Sequence, residues 1–163
     1  MRPATLLVLL AAALTAGCTQ IQPNWTDIPG TDLAQRNAFR LDTATPPEGL
    51  DEEEQQRWDE RRKLVRGLVR QELTAKGYRE TINDPDFLVR FWGKRGGAYS
   101  KFRYSGEQKG TIDIRAMDPE TGKWLWHGWA SETIVRRLDA EDELRKAVPM
   151  ILEKFPRSAT TLQ

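Results

Sequence analysis

The chain has 163 residues, with 25 Lys and Arg set against 24 Asp and Glu, which is the size of one domain around one core. A net charge of +1 gives no electrostatic reason to expect a nucleic-acid partner, and one cysteine excludes a disulfide framework. Hydrophobic residues make up 39% and six are tryptophan, enough apolar area to exclude wholesale disorder.

Arg2 is the one charge before Leu6 to Leu14, an unbroken run of Leu, Val and Ala, after which Thr15-Ala16-Gly17-Cys18 follows. The run is too short to span a bilayer, which takes about 20 apolar residues, and it has the length of a secretory h-region. Ala16 and Gly17 are small enough for a peptidase cleft, and Cys18 is a nucleophile that can accept a diacylglyceryl group. The segment resembles the lipobox of bacterial lipoproteins, with Thr15 where Leu is more usual. The resemblance implies that residues 1–17 are a signal peptide, that Cys18 is lipidated, and that the protein sits on a membrane without crossing it. An ordinary signal peptide with an incidental cysteine accounts less well for an exported thiol that has no partner. Thr19 stands where Asp would imply inner-membrane retention, so the same resemblance implies the periplasmic face of the outer membrane.

Residues 18–32, with Pro23, Pro29 and Gly30, read as a lipidated tether, and Trp25 is a candidate to fold back onto the domain. The domain itself is expected over 33–157. Asn37 to Leu41 suits a short strand, and Thr43 to Gly49, with Pro46 and Pro47, a loop. From Asp51 the first turn is acidic, and Trp58, Val65, Leu68, Val69 and Leu73 recur at helical spacing. Lys76, Gly77 and Tyr78 then match a Schellman stop.

Asp86 to Trp92 alternates, with Phe87, Val89 and Phe91 on one face and Leu88, Arg90 and Trp92 on the other. Gly93 to Gly97 reads as a turn, Phe102 and Tyr104 as part of an edge strand, and Thr111 to Met117 as a strand with Ile112, Ile114 and Ala116 on one side. Asp118-Pro119-Glu120-Thr121-Gly122 is a hairpin turn, returning through a strand from Lys123 to about Ile134. Asp139 can cap a last helix with an apolar stripe of Leu144, Ala147, Val148, Ile151, Leu152 and Phe155, in which Pro149 predicts a kink or break near Ala147. Residues 158–163 are left as a tail. The fold class is therefore α+β: one mostly antiparallel sheet with two helices on one face.

Several segments in this order resemble the bacterial lipoproteins grouped as domain of unknown function 4136 (DUF4136). They are Leu73 to Tyr78, Asp84 to Val89, Gly110 to Ile114, Trp126 to Ala130, and Ala147-Val148 through Lys154-Phe155-Pro156. His127 stands where family members often have Arg, and Pro149 is unusual in the last helix. The resemblance implies a secreted lipoprotein with an α+β fold and brings no established activity.

The chemistry-bearing residues carry weak signals. His127 is the single histidine and Cys18 is spent on lipid, so no metal or cofactor is expected. Ser100, Ser105 and Ser131 occupy no nucleophile elbow. Asp84, Asp86, Asp113 and Asp118 could pair as glycosidase carboxylates, but turn chemistry accounts for those at 84, 86 and 118. Arg61, Arg62, Lys63, Arg66 and Arg70 share their helix with Glu52, Glu53, Glu54, Asp59, Glu60 and Glu72, as a solvated face does. The last strand puts Trp124, Trp126, Gly128 and Ala130 on one face and Leu125, His127 and Trp129 on the other, so both faces carry large apolar groups, and two helices cannot cover both sides of a sheet. Leu88, Trp92, Leu125 and Trp129 are thus the expected open face. These readings favour a non-enzymatic envelope module that binds another protein or a hydrophobic ligand; an enzyme of unrecognised type and a structural envelope component are the rivals. The oligomeric state is not readable.

Overall fold

In the computed structural model, residues 21–42, 48–95, 108–134 and 140–159 are described. The signal peptide, Cys18, residues 43–47 of the proline loop, the expected Phe102–Tyr104 strand and the Asp139 cap lie outside the described residues, as do residues 160–163. The chain order is β1 (Gln22–Asp27), a 3-10 turn (Leu33–Gln35), β2 (Ala38–Leu41), α1 (Glu52–Ala75), β3 (Arg79–Glu80), β4 (Phe87–Arg95), β5 (Gln108–Met117), β6 (Trp124–Ile134) and α2 (Ala140–Leu152).

The strands form one six-stranded sheet in the order β1-β6-β5-β4-β2-β3. It is mixed: β1, β6, β5 and β4 pair antiparallel, whereas β2 runs parallel to both β3 and β4. The parallel β2–β3 pair follows from connectivity, because α1 separates the two strands and returns the chain to the end of the sheet where β2 began.

Local chemistry explains α1 at both ends. Asp51 Oδ1 accepts from Glu54 N at 2.8 Å and Glu54 Oε2 accepts from Asp51 N at 3.4 Å, a reciprocal capping box. At the other end Gly77 takes φ +93°, with Tyr78 N donating to Leu73 O at 3.0 Å and Gly77 N to Thr74 O at 2.9 Å. That is the Schellman stop expected from the sequence. The β5–β6 turn closes through Asp118 N to Lys123 O at 2.8 Å, with Gly122 at φ +66°. The Thr121 backbone N–H is the main cause that draws the Asp118 carboxyl down to about 2, and the Thr121 hydroxyl adds to it.

The core lies between one sheet face and the two helices. Val65, Val69 and Leu73 of α1 and Val148, Ile151 and Leu152 of α2 cover Phe39, Phe87, Val89, Ile112, Ile114, Ala116 and Trp126. The alternation in β4 and β5 thus faces the way their apolar sets suggested. Tyr78 stands at the centre of an aromatic group, edge-on to Phe87 at 5.2 Å and to Phe155 at 5.6 Å. Burial pushes its hydroxyl pKa well above the usual tyrosine value, and that hydroxyl donates to Leu33 O and Pro156 O, each at 3.2 Å.

Several expectations need correcting. The tether over 18–32 does not extend through that range: Ile21 is buried and Gln22–Asp27 is an edge strand on β6. Pro23 is tolerated there because an edge strand has one side without ladder partners. Trp25 sits opposite Gly128, on the helix-covered side, with Lys154 Nζ 5.6 Å from its ring, so it does not shield the bare face. Gly93 continues β4 as far as Arg95 and is not a turn. Pro149 does not break α2, which runs through it to Leu152 with Val148 and Ile151 buried on either side; packing outweighs the missing N–H. Ser158 is fully buried, donating N–H to Lys76 O at 3.0 Å and its hydroxyl to Asn37 Oδ1 at 3.1 Å, so the chain is docked beyond Pro156.

Candidate functional site

Both helices lie on one side, and the opposite face of β5 and β6 carries a compact group of charged and aromatic side chains. The register places Arg115 opposite His127 and Asp113 opposite Trp129. Facing residues of an antiparallel pair project to the same side, so all four share the bare face. Asp113 joins them: its Oδ2 lies 2.7 Å from His127 Nε2, and its Oδ1 lies 2.9 Å from Arg115 Nε. The His127 ring stacks on Trp129, centroids 4.6 Å apart and planes within 25°.

Trp124 completes the group because of an irregularity in the ladder. Ala116 pairs with Trp126 but Met117 pairs with Trp124, so Leu125 is an extra residue in β6. A β-bulge of this kind reverses the side-chain alternation beyond it. Trp124 therefore lies with His127 and not with Trp126. The Arg115 guanidinium carbon sits 3.7 Å from the Trp124 ring centroid, and the His127 ring is 5.3 Å away. Cation–π contact at this range contributes about 0.5–2 kcal/mol, and it holds the indole in place. Trp124 remains 41% exposed, while the Asp113, His127 and Arg115 side chains are only 13%, 18% and 21% exposed. The result is a fixed aromatic surface braced from beside by the Asp113–Arg115 ion pair and the Asp113–His127 hydrogen bond.

The residues expected to form the open face divide accordingly. Trp129 belongs to the group, and Leu88, half-buried, lies on the same face opposite Met117 and Arg40. The Trp92 backbone pairs with Asp113, which puts position 92 on that face, while its side chain lies outside the described residues. Leu125 is corrected: it is 4% exposed and belongs to the core, because the bulge turns it inward. Sequence reasoning passed over Arg115, weighed Asp113 only as a possible glycosidase carboxylate and set Trp124 on the face of Trp126, although the hairpin turn at 118–122 was the signal that sets their register.

Other candidate chemistry is spoken for locally. Asp86 Oδ2 accepts from the Asn37 and Ala38 amides, each at 2.8 Å, and Asp118 closes its turn and pairs with Arg36 at 3.1 Å. Arg66 and Arg70 both reach Glu80 on β3, and Arg62 pairs with Asp59. Among the described residues no group of three or more His, Cys, Asp and Glu side chains is placed to hold a metal ion, and no helix is long and apolar enough to cross a membrane.

The chain is similar in fold to a PDZ domain protein from Parabacteroides distasonis, with 18% identity and a TM-score of 0.58 over 85% of this chain. It spans only 37% of that protein's length. PelC from Paraburkholderia phytofirmans, solved as a dodecamer, matches 82% of this chain and 95% of its own at 13% identity and TM-score 0.49. A DUF4136 family protein from Bacteroides thetaiotaomicron matches 83% of this chain and 94% of its own at 12% identity and TM-score 0.46. No curated protein matches the sequence. The model of the domain of unknown function DUF4136 matches residues 27–157, which takes in every element from β2 to α2, and the chain belongs to that family.

Proposed function

We propose that this is a lipid-anchored protein of the bacterial envelope, cut before Cys18 and held at the periplasmic face of the outer membrane, whose bare sheet face is a binding surface and not a catalytic centre. The observation that carries the binding reading is the group around Trp124. An indole 41% exposed, with Arg115 stacked at 3.7 Å, keeps its orientation before any partner arrives, so little conformational entropy is lost on contact. Trp and Arg are also the residues over-represented where binding energy concentrates. The face is mixed in character, which favours a partner with polar and planar groups over a purely hydrophobic ligand.

The anchor reading rests on the sequence from Arg2 to Cys18. One observation favours the rival enzyme reading: the 2.7 Å contact of His127 with Asp113 is the geometry of an oriented imidazole. In intact cells, a photoreactive residue at position 117 is expected to capture a partner, and Trp124→Ala to abolish that capture. His127→Gln, whose side-chain amide can keep the hydrogen bond to Asp113, should leave capture and any cellular phenotype near the parent level. Loss of the phenotype in a folded His127→Gln protein that still captures its partner would transfer support to the enzyme reading. Cys18→Ser should remove fatty-acid incorporation; retained labelling would end the lipoprotein reading.

A further inference from the structure

We propose that the domain is not suspended on a flexible leash but rests directly against the phospholipid headgroups, with the end of the sheet where β1 begins facing the bilayer. This inference rests on the lipid-anchor reading, and adds to it an orientation. Ile21 is buried and Gln22 is paired with Ser131, so Thr19 and Gln20 alone separate Cys18 from the folded body. Three residue steps reach at most about 10 Å. A lipidated Cys18 backbone lies at the headgroup level, so the start of β1 is held within that distance of it.

The register shows what else lies at that end. Gln22, Ser131, Thr111 and Lys94 stand in one row across four strands, and Arg95, Lys109 and Thr133 lie beyond it. The opposite end carries the Asp118–Gly122 turn and the junction where Lys76 Nζ donates to Glu153 O at 3.1 Å. Because β6 is an 11-residue strand, the two ends are separated by roughly 35 Å at about 3.3 Å per residue. Both helices close their C-terminal turns on that junction, so their acidic first turns, Glu52–Glu54 and Glu141–Glu143, point towards the anchored end. The short chain alone is enough to hold this end at the headgroups. The bare face around Trp124 then stands upright from the membrane, open to a partner approaching sideways.

The test uses the full-length protein, purified with its lipid and reconstituted into phosphatidylcholine vesicles carrying a headgroup-located quencher. Cys18 is the one native cysteine and is blocked by acylation, so Lys109→Cys and Glu120→Cys each introduce a unique labelling site. A fluorophore at 109 should be quenched several-fold more strongly than one at 120. Inserting a flexible Gly/Ser linker of about ten residues after Thr19 should abolish the difference. Equal quenching at 109 and 120 in protein whose N-terminal peptide carries the acyl mass would overturn the docking inference and leave the lipoprotein reading intact. An N-terminal peptide of membrane-fraction protein with unmodified Cys18 would overturn both.

Discussion

Trp124 and Trp126 stand two residues apart on one strand and have opposite fates. Trp126 is fully buried beneath α2, its ring edge-on to Phe155 at 4.9 Å, whereas Trp124 is 41% exposed on the other face against Arg115. Simple alternation would put both on the same side. The extra residue Leu125 separates them, giving the core one tryptophan and the bare face another. The helix-covered face is filled by shape and apolar area; the bare face is ordered by ion pairs and ring contacts that leave it accessible. Stability resides mainly in the first, and substitutions should fall unequally on the two.

Leu125→Ala should be among the most costly changes, about 2–5 kcal/mol by denaturant unfolding, because it empties a buried site and weakens the bulge. A loss below about 0.5 kcal/mol, usual for surface positions, would return Leu125 to the open face. Next comes Gly128→Ala. A Cβ there would lie 2.1 Å from Trp126 Cη2 and 2.7 Å from Ile151 Cγ2, so the indole must shift within a packed core. Overpacking of this kind costs about 1–3 kcal/mol, and thermal unfolding should register it as a clear fall in Tm.

A smaller effect is expected at the sheet edge, away from both faces of the comparison. The Glu80 carboxyl is held below its ordinary value of 4.5, chiefly by the hydrogen bond from Arg70 and further by the charges of Arg70 and Arg66. The unfolded chain binds that proton more readily than the folded one. The contribution is therefore fully present above pH 4.5 and is lost as pH falls through the depressed folded value. Both partners are partly solvated, so it is below about 1 kcal/mol. Glu80→Gln should lower the denaturant midpoint at neutral pH and approach the parent in acid; a gap that widens in acid would contradict the sign.

Much of the fold was legible where the determinants are local. The acidic start and Gly77 stop of α1 and the Asp118–Gly122 turn are written in a few adjacent residues, and the apolar sets of β4 and β5 identify the buried side. The rest depends on what lies opposite. β1 has no periodicity of its own and becomes a strand because β6 offers it a ladder. The Leu125 bulge leaves no compositional mark, so parity reasoning was right for Trp126 and Trp129 but inverted for Trp124 and Leu125. The Asp113–His127–Arg115 group was missed for a related reason: a histidine weighed alone lacks partners, while the hairpin register brings two within reach.

The central claim is that the bulge divides the two tryptophans between a core and an open face, and matched truncation measures it most directly. Denaturant unfolding of Trp126→Ala and Trp124→Ala, compared with the parent under one set of conditions, should show a loss of about 3–5 kcal/mol for the first. For the second it should show no more than about 1 kcal/mol, the value of an exposed cation–π contact. Equal losses, or the larger loss at Trp124, would contradict the bulge and the assignment of the bare face.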